Sequence, residues 1–326
     1  MKCTNRYFIT AIVLSAMLML TGCGELAYTM PYSADMNVST YDVLGSQKSN
    51  RPLPFAYDLC VVDGDKVNDE NVDMSQAYTA LLFDVNEKEV LYSKNVHEQL
   101  HPASLTKIMT ALVALKHGSL NQELTATNNV YITESGAQLC GLKSGDTMTL
   151  DQALHILLIY SANDVAMMIA ENVAGSVQGF VDLMNEEAHA LGATNTHFMN
   201  PHGLTQEDHY TTPYDLYLMF NEAIKYEKFN EIIHMTSYST VFYDSRGREK
   251  DFSVKTTNLF LQGVYDAPSN ITVIGGKTGT TNAAGHCLAL LSRDTSGNPY
   301  ISIIMRSQAR VVLYEEMIDL LDEIHK

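Results

Sequence analysis

Basic residues are few for a chain of 326. The 21 Lys and Arg stand against 38 Asp and Glu, a formal charge of −17 at pH 7. No Lys/Arg cluster interrupts that excess. Such a surface repels phosphate backbones and anionic headgroups, which argues against a nucleic-acid partner and against membrane binding by charge. Cysteine is scarce as well: Cys3, Cys23, Cys60, Cys140 and Cys287 are all there are. None forms Cys-x-x-Cys, so neither a zinc ribbon nor a thioredoxin-type redox site is expected. His-Glu-x-x-His is absent among the eleven histidines. His197, His202 and His209 lie close together, but a Gly- and Pro-containing loop holds histidine for structure more often than for metal, and no metal is expected. No internal repeat is visible. What remains, 46% hydrophobic and 18% charged, suits a globular protein with a proper core.

The first residues have a different texture. Lys2 and Arg6 precede the apolar run Phe8–Leu20, which is too short to cross a bilayer comfortably and right for a signal peptide. Leu20-Thr21-Gly22-Cys23 resembles the lipobox of bacterial lipoproteins, in which cleavage leaves a lipidated cysteine. The resemblance implies a signal peptide over 1–22, a lipid anchor at Cys23 and an extracytoplasmic location on a bacterial membrane. A plain signal peptide or an uncleaved anchor is the alternative. Residues 23–75 read as a tether, rich in Ser, Asn, Asp, Tyr and Pro and without helical or strand period. Whether Asp58–Val62 docks on the domain is open at this level.

Ordered structure is expected from about residue 76 to 326. Tyr78–Asp84 and Glu89–Ser93 flank a turn and read as a hairpin. Helices are expected over Asp151–Tyr160, Asp164–Val173, Phe180–Leu191, Thr212–Lys225 and Lys228–Met235. Strands then dominate: Tyr238–Tyr243 and Phe252–Thr256, then Val273-Ile274, Cys287–Ser292 and Tyr300–Arg306. A last helix shows Met317, Leu320, Leu321 and Ile324 on one face. This order fits an α+β fold: an antiparallel sheet built from both ends of the chain and flanked by helices, with a helical block inserted at about 119–236.

Three short patterns carry chemistry. In Pro102-Ala103-Ser104-Leu105-Thr106-Lys107, the proline and the apolar run that follows predict a helix start at Ser104. Lys107, three residues on, shares its helical face. A serine hydroxyl becomes a nucleophile when a base takes its proton, and a lysine serves once burial or a second cation lowers its pKa. The plainer alternative is an N-cap serine beside a solvated lysine. Tyr160-Ser161-Ala162-Asn163-Asp164 interrupts two helices, and Ser161 could simply cap the second. Gly275-Gly276-Lys277-Thr278-Gly279-Thr280 begins a strand with glycines that let a ligand approach the backbone, or is a strand end with a solvated lysine.

Taken together and in this order, Ser-x-x-Lys, Ser-x-Asn and Lys-Thr-Gly form the triple of penicillin-binding proteins and class A β-lactamases. From about Ala77 onward the chain resembles the serine D-Ala-D-Ala carboxypeptidases, the low-molecular-weight penicillin-binding proteins of peptidase family S11. Asn200-Pro201-His202-Gly203-Leu204 and His209-Tyr210-Thr211-Thr212 belong to the same match. The resemblance implies a transpeptidase-like fold and a site in which Ser104 attacks and Lys107 is its base. Lys277 keeps Lys107 neutral, Ser161 relays a proton and Asn163 orients Lys107 and the substrate amide. Thr278, Gly279 and Thr280 bind the substrate, with the N–H groups of Ser104 and Thr280 as oxyanion hole. Many relatives have an arginine at the start of the last helix; Leu313 falls there, and Arg310 is the expected substitute for binding carboxylate. Many also add a C-terminal β domain, which is not expected here. The implied substrate is the D-Ala-D-Ala end of peptidoglycan stem peptides, with β-lactams as covalent inhibitors and no cofactor.

Rival readings keep the scaffold and change the chemistry. A class A-like β-lactamase needs a glutamate to activate the deacylating water, and only Glu207 lies in a plausible loop. A D,D-transpeptidase or endopeptidase differs in the acceptor. A non-catalytic cell-wall-binding lipoprotein would not need all three patterns intact. Cys60, Cys140 and Cys287 could form one disulfide, buried thiols being the simpler expectation.

Overall fold

The computed structural model describes residues 57, 59–67 and 74–325. The expected signal peptide, Cys23 and most of the tether lie outside the described residues.

The strands β1 (Ala77–Asp84), β2 (Glu89–Lys94), β7 (Ile271–Thr281), β8 (Gly285–Asp294) and β9 (Pro299–Ser307) form one antiparallel sheet in the order β2-β1-β9-β8-β7. It is built from both ends of the domain, as expected. Strand side chains alternate between faces, and the cores divide accordingly. Leu81, Phe83, Ala289, Leu291, Ile301, Ile303 and Met305 face one core, while Ala80, Leu82, Leu288, Leu290 and Ile304 face the other. The second face is covered by α7 (Arg310–Asp322) through Leu313, Tyr314, Met317, Leu320 and Leu321.

The first face receives the helical block. Its centre is α1 (Thr106–His117), buried without a break from Thr106 to Ala114. Apart from Thr106, Lys107 and Thr110, this buried stretch is apolar, as a helix enclosed by its neighbours should be. The block also contains α2 (Leu150–His155), and α3 (Asn163–Ala174), α4 (Val177–Ala190) and α5 (Pro213–Ala223) pack directly on α1, with α6 (Glu227–His234) further out against β7. Thr149 and Gln152 start α2 with a reciprocal capping box. Beyond His155 the helix widens into a π turn, Ile156–Tyr160, which ends at Ser161 in the left-handed conformation, φ 71°.

One expectation changes, and one open point is resolved. The hairpin β5 (Ser237–Tyr243) and β6 (Glu249–Lys255) does not join the large sheet. It pairs with β3 (Glu123–Thr125) and β4 (Thr147–Thr149) in a second sheet, order β3-β4-β5-β6. Its burial alternates, with one side open to water, so it needs no helix on both faces. The described part of the tether, 59–67, docks on the domain. Cys60 is wholly buried, its N–H donates to the Tyr217 hydroxyl at 2.9 Å, and Lys66 pairs with Ser93. Cys60, Cys140 and Cys287 are free thiols. Burial pushes the Cys60 thiol up to about 11 and that of Cys287 up to about 12.

Candidate active site

Ser104 stands in a single 3-10 turn, Ala103–Leu105, just ahead of α1. Neither this turn nor α1 has a side-chain cap, so Ser104 is not spent as one. Ala103 is held at φ 49°, a strained value for a residue with a side chain. That turn lets Lys107 reach back: Nζ lies 2.9 Å from Ser104 Oγ. Lys107 is 0% exposed, which removes the solvated alternative.

The surroundings of Lys107 fix what its nitrogen can do. Nζ also lies 2.7 Å from Asn163 Oδ1 and 2.6 Å from the His202 carbonyl oxygen. Both of these can only accept, so they take two N–H bonds. In a neutral amine the third direction is a lone pair, and it faces the Ser104 hydroxyl. Burial first, and the Lys277 charge second, hold the Lys107 pKa well below that of an ordinary lysine, with Asp164 opposing. The nitrogen is thus placed to receive a proton from Ser104.

Lys277 enters from β7. It is buried, and its Nζ donates to Ser161 Oγ and to the Thr278 carbonyl, both at 2.9 Å. Burial lowers its pKa to about 7. Ser161 therefore does not cap α3, whose N-cap is Ala162 without a side-chain bond. The π turn aims Ser161 instead. Asn163 opens α3, and its N–H is accepted by the Gln138 carbonyl at 2.8 Å. Gln138 belongs to a loop clamped by Asp164, whose carboxylate accepts the N–H groups of Cys140, Gly141 and Leu142.

Gly279 shows why β7 carries a glycine here: a Cβ would come within 3.0 Å of the Ser104 nitrogen and 3.1 Å of the Pro102 carbonyl. Thr278 Oγ1 pairs with Thr257 Oγ1 at 2.6 Å, and Thr280 Oγ1 with His286 Nδ1 at 3.2 Å. The loop Asn200–Leu204 braces the turn from the other side, through the His202 carbonyl already named and through Pro201, whose carbonyl accepts from Thr110 Oγ1.

Ser104, Ser161, Asn163, Thr278, Gly279, Thr280 and Arg310 line one cavity of about 600 Å³. Arg310 opens α7 there, beside His286, Leu313 and Tyr314. Lys107 and Lys277 lie behind its wall. Lys255 and Arg310 are its charged lining residues, with no Asp or Glu among the described residues, in a chain where acids outnumber bases. Glu207 lines a different hollow, with His101 and Tyr210. The structure thus brings together all of the sequence-expected site residues except Cys23, which lies outside the described residues. The His202 carbonyl and the Asp164 clamp were not foreseen. A backbone acceptor has no residue-type signature, though the Asn200–Leu204 turn marked the place. Among the described residues no cluster of His, Cys, Asp and Glu could hold a metal ion, and no helix is long and apolar enough to cross a membrane.

Residues 66–309 match the family model described as D-alanyl-D-alanine carboxypeptidase, Peptidase_S11. The D-alanyl-D-alanine carboxypeptidase DacF of Bacillus subtilis is 35% identical over 218 residues, 65% of this chain and 53% of that protein. The chain spans about half the length of the curated relatives it matches. Among solved structures, the Streptomyces K15 DD-transpeptidase superposes with a TM-score of 0.70 at 26% identity, covering 76% of this chain and 96% of that one. The D-alanyl-D-alanine carboxypeptidase of Mycobacterium tuberculosis H37Rv gives 0.69 at 28%, covering 81% and 96%.

Proposed function

The chain belongs to the D-alanyl-D-alanine carboxypeptidase family of serine hydrolases, and from that premise we propose that it removes the terminal D-Ala from peptidoglycan stem peptides through an acyl-enzyme. One observation carries the reading: a buried amine, with two N–H bonds committed to acceptors, faces a serine hydroxyl at 2.9 Å. Ser104 Oγ attacks the carbonyl carbon of the penultimate D-Ala, and its proton passes to Lys107 Nζ. The carbonyl oxygen becomes an oxyanion received by the N–H groups of Ser104 and Thr280. Ser161 relays a proton to the departing D-Ala nitrogen as the peptide bond breaks, Lys277 supplying its positive field. Thr278, Thr280 and Arg310 hold the terminal carboxylate, while Gly279 between the two threonines lets β7 lie against the Ser104 turn. Asn163 holds Lys107 and the substrate amide. Water then attacks the ester and Ser104 regains its proton.

The cavity without a lining carboxylate favours this over a class A-like β-lactamase. Penicillin acylates Ser104 and is released slowly, because among the described residues no glutamate lines the cavity to activate water against the ester. The likeness to a DD-transpeptidase supports a second acceptor, an amine in place of water. Outside the described residues, the lipobox-like Leu20–Cys23 supports an extracytoplasmic enzyme held to a bacterial membrane by lipid. We place the signal peptide at 1–22 and a tether after it.

The test is incubation with a stem pentapeptide ending in D-Ala-D-Ala and an assay for free D-Ala, with and without an amine acceptor. Stoichiometric D-Ala release by the wild type and none by Ser104→Ala is expected. A wild type that is labelled by fluorescent penicillin but frees no D-Ala counts against the carboxypeptidase.

A further inference from the structure

Past the turn from β7 to β8, a second cavity of about 550 Å³ opens at the end of the large sheet. Its charged lining residues are Lys94 and Arg306, and among the described residues no Asp or Glu lines it. Gln76, Asn95, Asn282 and Gln308 complete a polar wall. Two lining cations stand out where the whole chain carries −17, with Glu316 behind the wall close enough to feel the Lys94 charge.

The backbone singles out Arg306. His286 pairs with Ser307 and Leu288 with Ile304, so Met305 and Arg306 together face Cys287 in a bulge of β9. Arg306 takes the left-handed position there, φ 61°. Glycine fills such a position without strain; an L-residue costs about 1–2 kcal/mol. A bulge also re-aims the side chain that it carries. The guanidinium carbon stands 5.1 Å over the Tyr78 ring, and among the described residues no carboxylate lies within ion-pair distance of Arg306. The acids nearby have other work. Glu316 accepts from the N–H groups of Gln76 and Ala77 and from the Ser307 hydroxyl, and Asp65 accepts from the Asn95 N–H. Glu207 lines the neighbouring hollow that Arg306 also lines, without pairing with it. Lys94 is held in place by the Met74 and Ala77 carbonyls.

The two cavities adjoin along the chain. Thr280 and Thr281 line the first, Asn282 and Ala283 the second. Thr280 pairs with His286 and His286 with Ser307, which sets Arg306 two strand spacings from the substrate edge of β7. That is about 10 Å, the reach of about three extended residues. A peptide laid along β7 with its carboxylate end at Thr278 and Thr280 would, if its other end ran on past Thr281, lead toward this cavity.

We propose that Arg306 and Lys94 form an anion-binding subsite for a carboxylate on the acyl-donor side of the peptide substrate, about three residues ahead of the scissile bond. The proposal rests on the D,D-peptidase reading above.

The test uses two synthetic peptides ending in D-Ala-D-Ala, one bearing a free carboxylate about three residues ahead of the scissile bond and the other its carboxamide. Binding is measured to Ser104→Ala protein. The acid is expected to bind roughly five- to tenfold tighter, the preference shrinking as salt rises. Arg306→Gly, which suits the left-handed backbone and so keeps the fold, brings the ratio close to one; Arg306→Lys keeps part of it. Equal binding of the two peptides, or a preference that survives Arg306→Gly, overturns the subsite. A peptide too short to reach it, given to the wild type and assayed for free D-Ala, reports on the carboxypeptidase reading separately.

Discussion

Gly203 lies against the carbonyl of Ala103: a Cβ built on it would stand 1.8 Å from that oxygen, at a φ of 88°. Two loops from distant parts of the sequence thus lock the turn that presents Ser104. Gly203→Ala forces both a backbone clash and a strained φ. We expect it to lower acylation by on the order of 100-fold and stability by roughly 2–4 kcal/mol. Penicillin labelling rate and melting temperature measure the two losses, and a variant with wild-type labelling would show that the contact does not position Ser104.

The proton chemistry has a pH signature. In the proposed mechanism Lys107 must be neutral to take the Ser104 proton, and its pKa is held well below the ordinary value by burial and by Lys277. Acylation therefore rises with pH on the acid side and is already strong where a free lysine would still be charged. Lys277, lowered to about 7 by burial, loses its charge above that pH and the rate then declines. The second-order rate constant for acylation by penicillin, measured across pH, is expected to be bell-shaped. A rate still climbing at about pH 10, where an ordinary lysine titrates, contradicts this.

Acid should weaken the fold through two histidines. Burial holds His202 and His209 at about 3, against 6.5 for a free imidazole. His209 is neutral in the fold, its Nδ1 accepting from the Met199 N–H and its Nε2 facing the Thr106 hydroxyl. Below about pH 6.5 the unfolded chain binds protons that the folded one refuses. Stability is thus full above that pH and declines by about 1.4 kcal/mol per pH unit per histidine down to about pH 3. Denaturant titrations at pH 7, 6, 5 and 4 give the slope. His209→Gln should make it shallower; an unchanged slope would remove His209 from the account.

Asp164 is expected to matter without touching substrate. Asp164→Asn puts an amide N–H against the loop N–H groups that the carboxylate now receives. The cost should be about 2–4 kcal/mol, and the loop carrying Gln138 should loosen from Asn163. A penicillin acylation rate equal to that of the wild type, despite a lower melting temperature, would confine Asp164 to stability.

Cys23→Ser is expected to release the protein from the membrane fraction while D-Ala release persists. Retention in the membrane would refute the lipid anchor.

The side chains that meet in the candidate site could be read in the sequence because each is a residue type at fixed spacing. Lys107 sits one helical turn from Ser104, and Lys277 follows glycines that a close approach requires. The rest is contact without composition. The His202 carbonyl carries no side-chain signal, and strands of three residues such as β3 and β4 are too short to show alternation. The π turn at Ile156–Tyr160 spans five residues, over which its wider period cannot be told from an α-helix. The docking of Cys60 depends on a tyrosine hydroxyl 157 residues away.

β1 has β9 as its neighbour across the sheet, with Thr79 and Met305 joined over 226 positions. The innermost strand of the early segment therefore has no second partner until Pro299–Ser307 has been made. Contacts so distant close late and slowly. During synthesis the polypeptide should therefore stay loose, and should mature only once its final strand has left the ribosome. Chains truncated before Pro299 should stay protease-sensitive and unlabelled by penicillin.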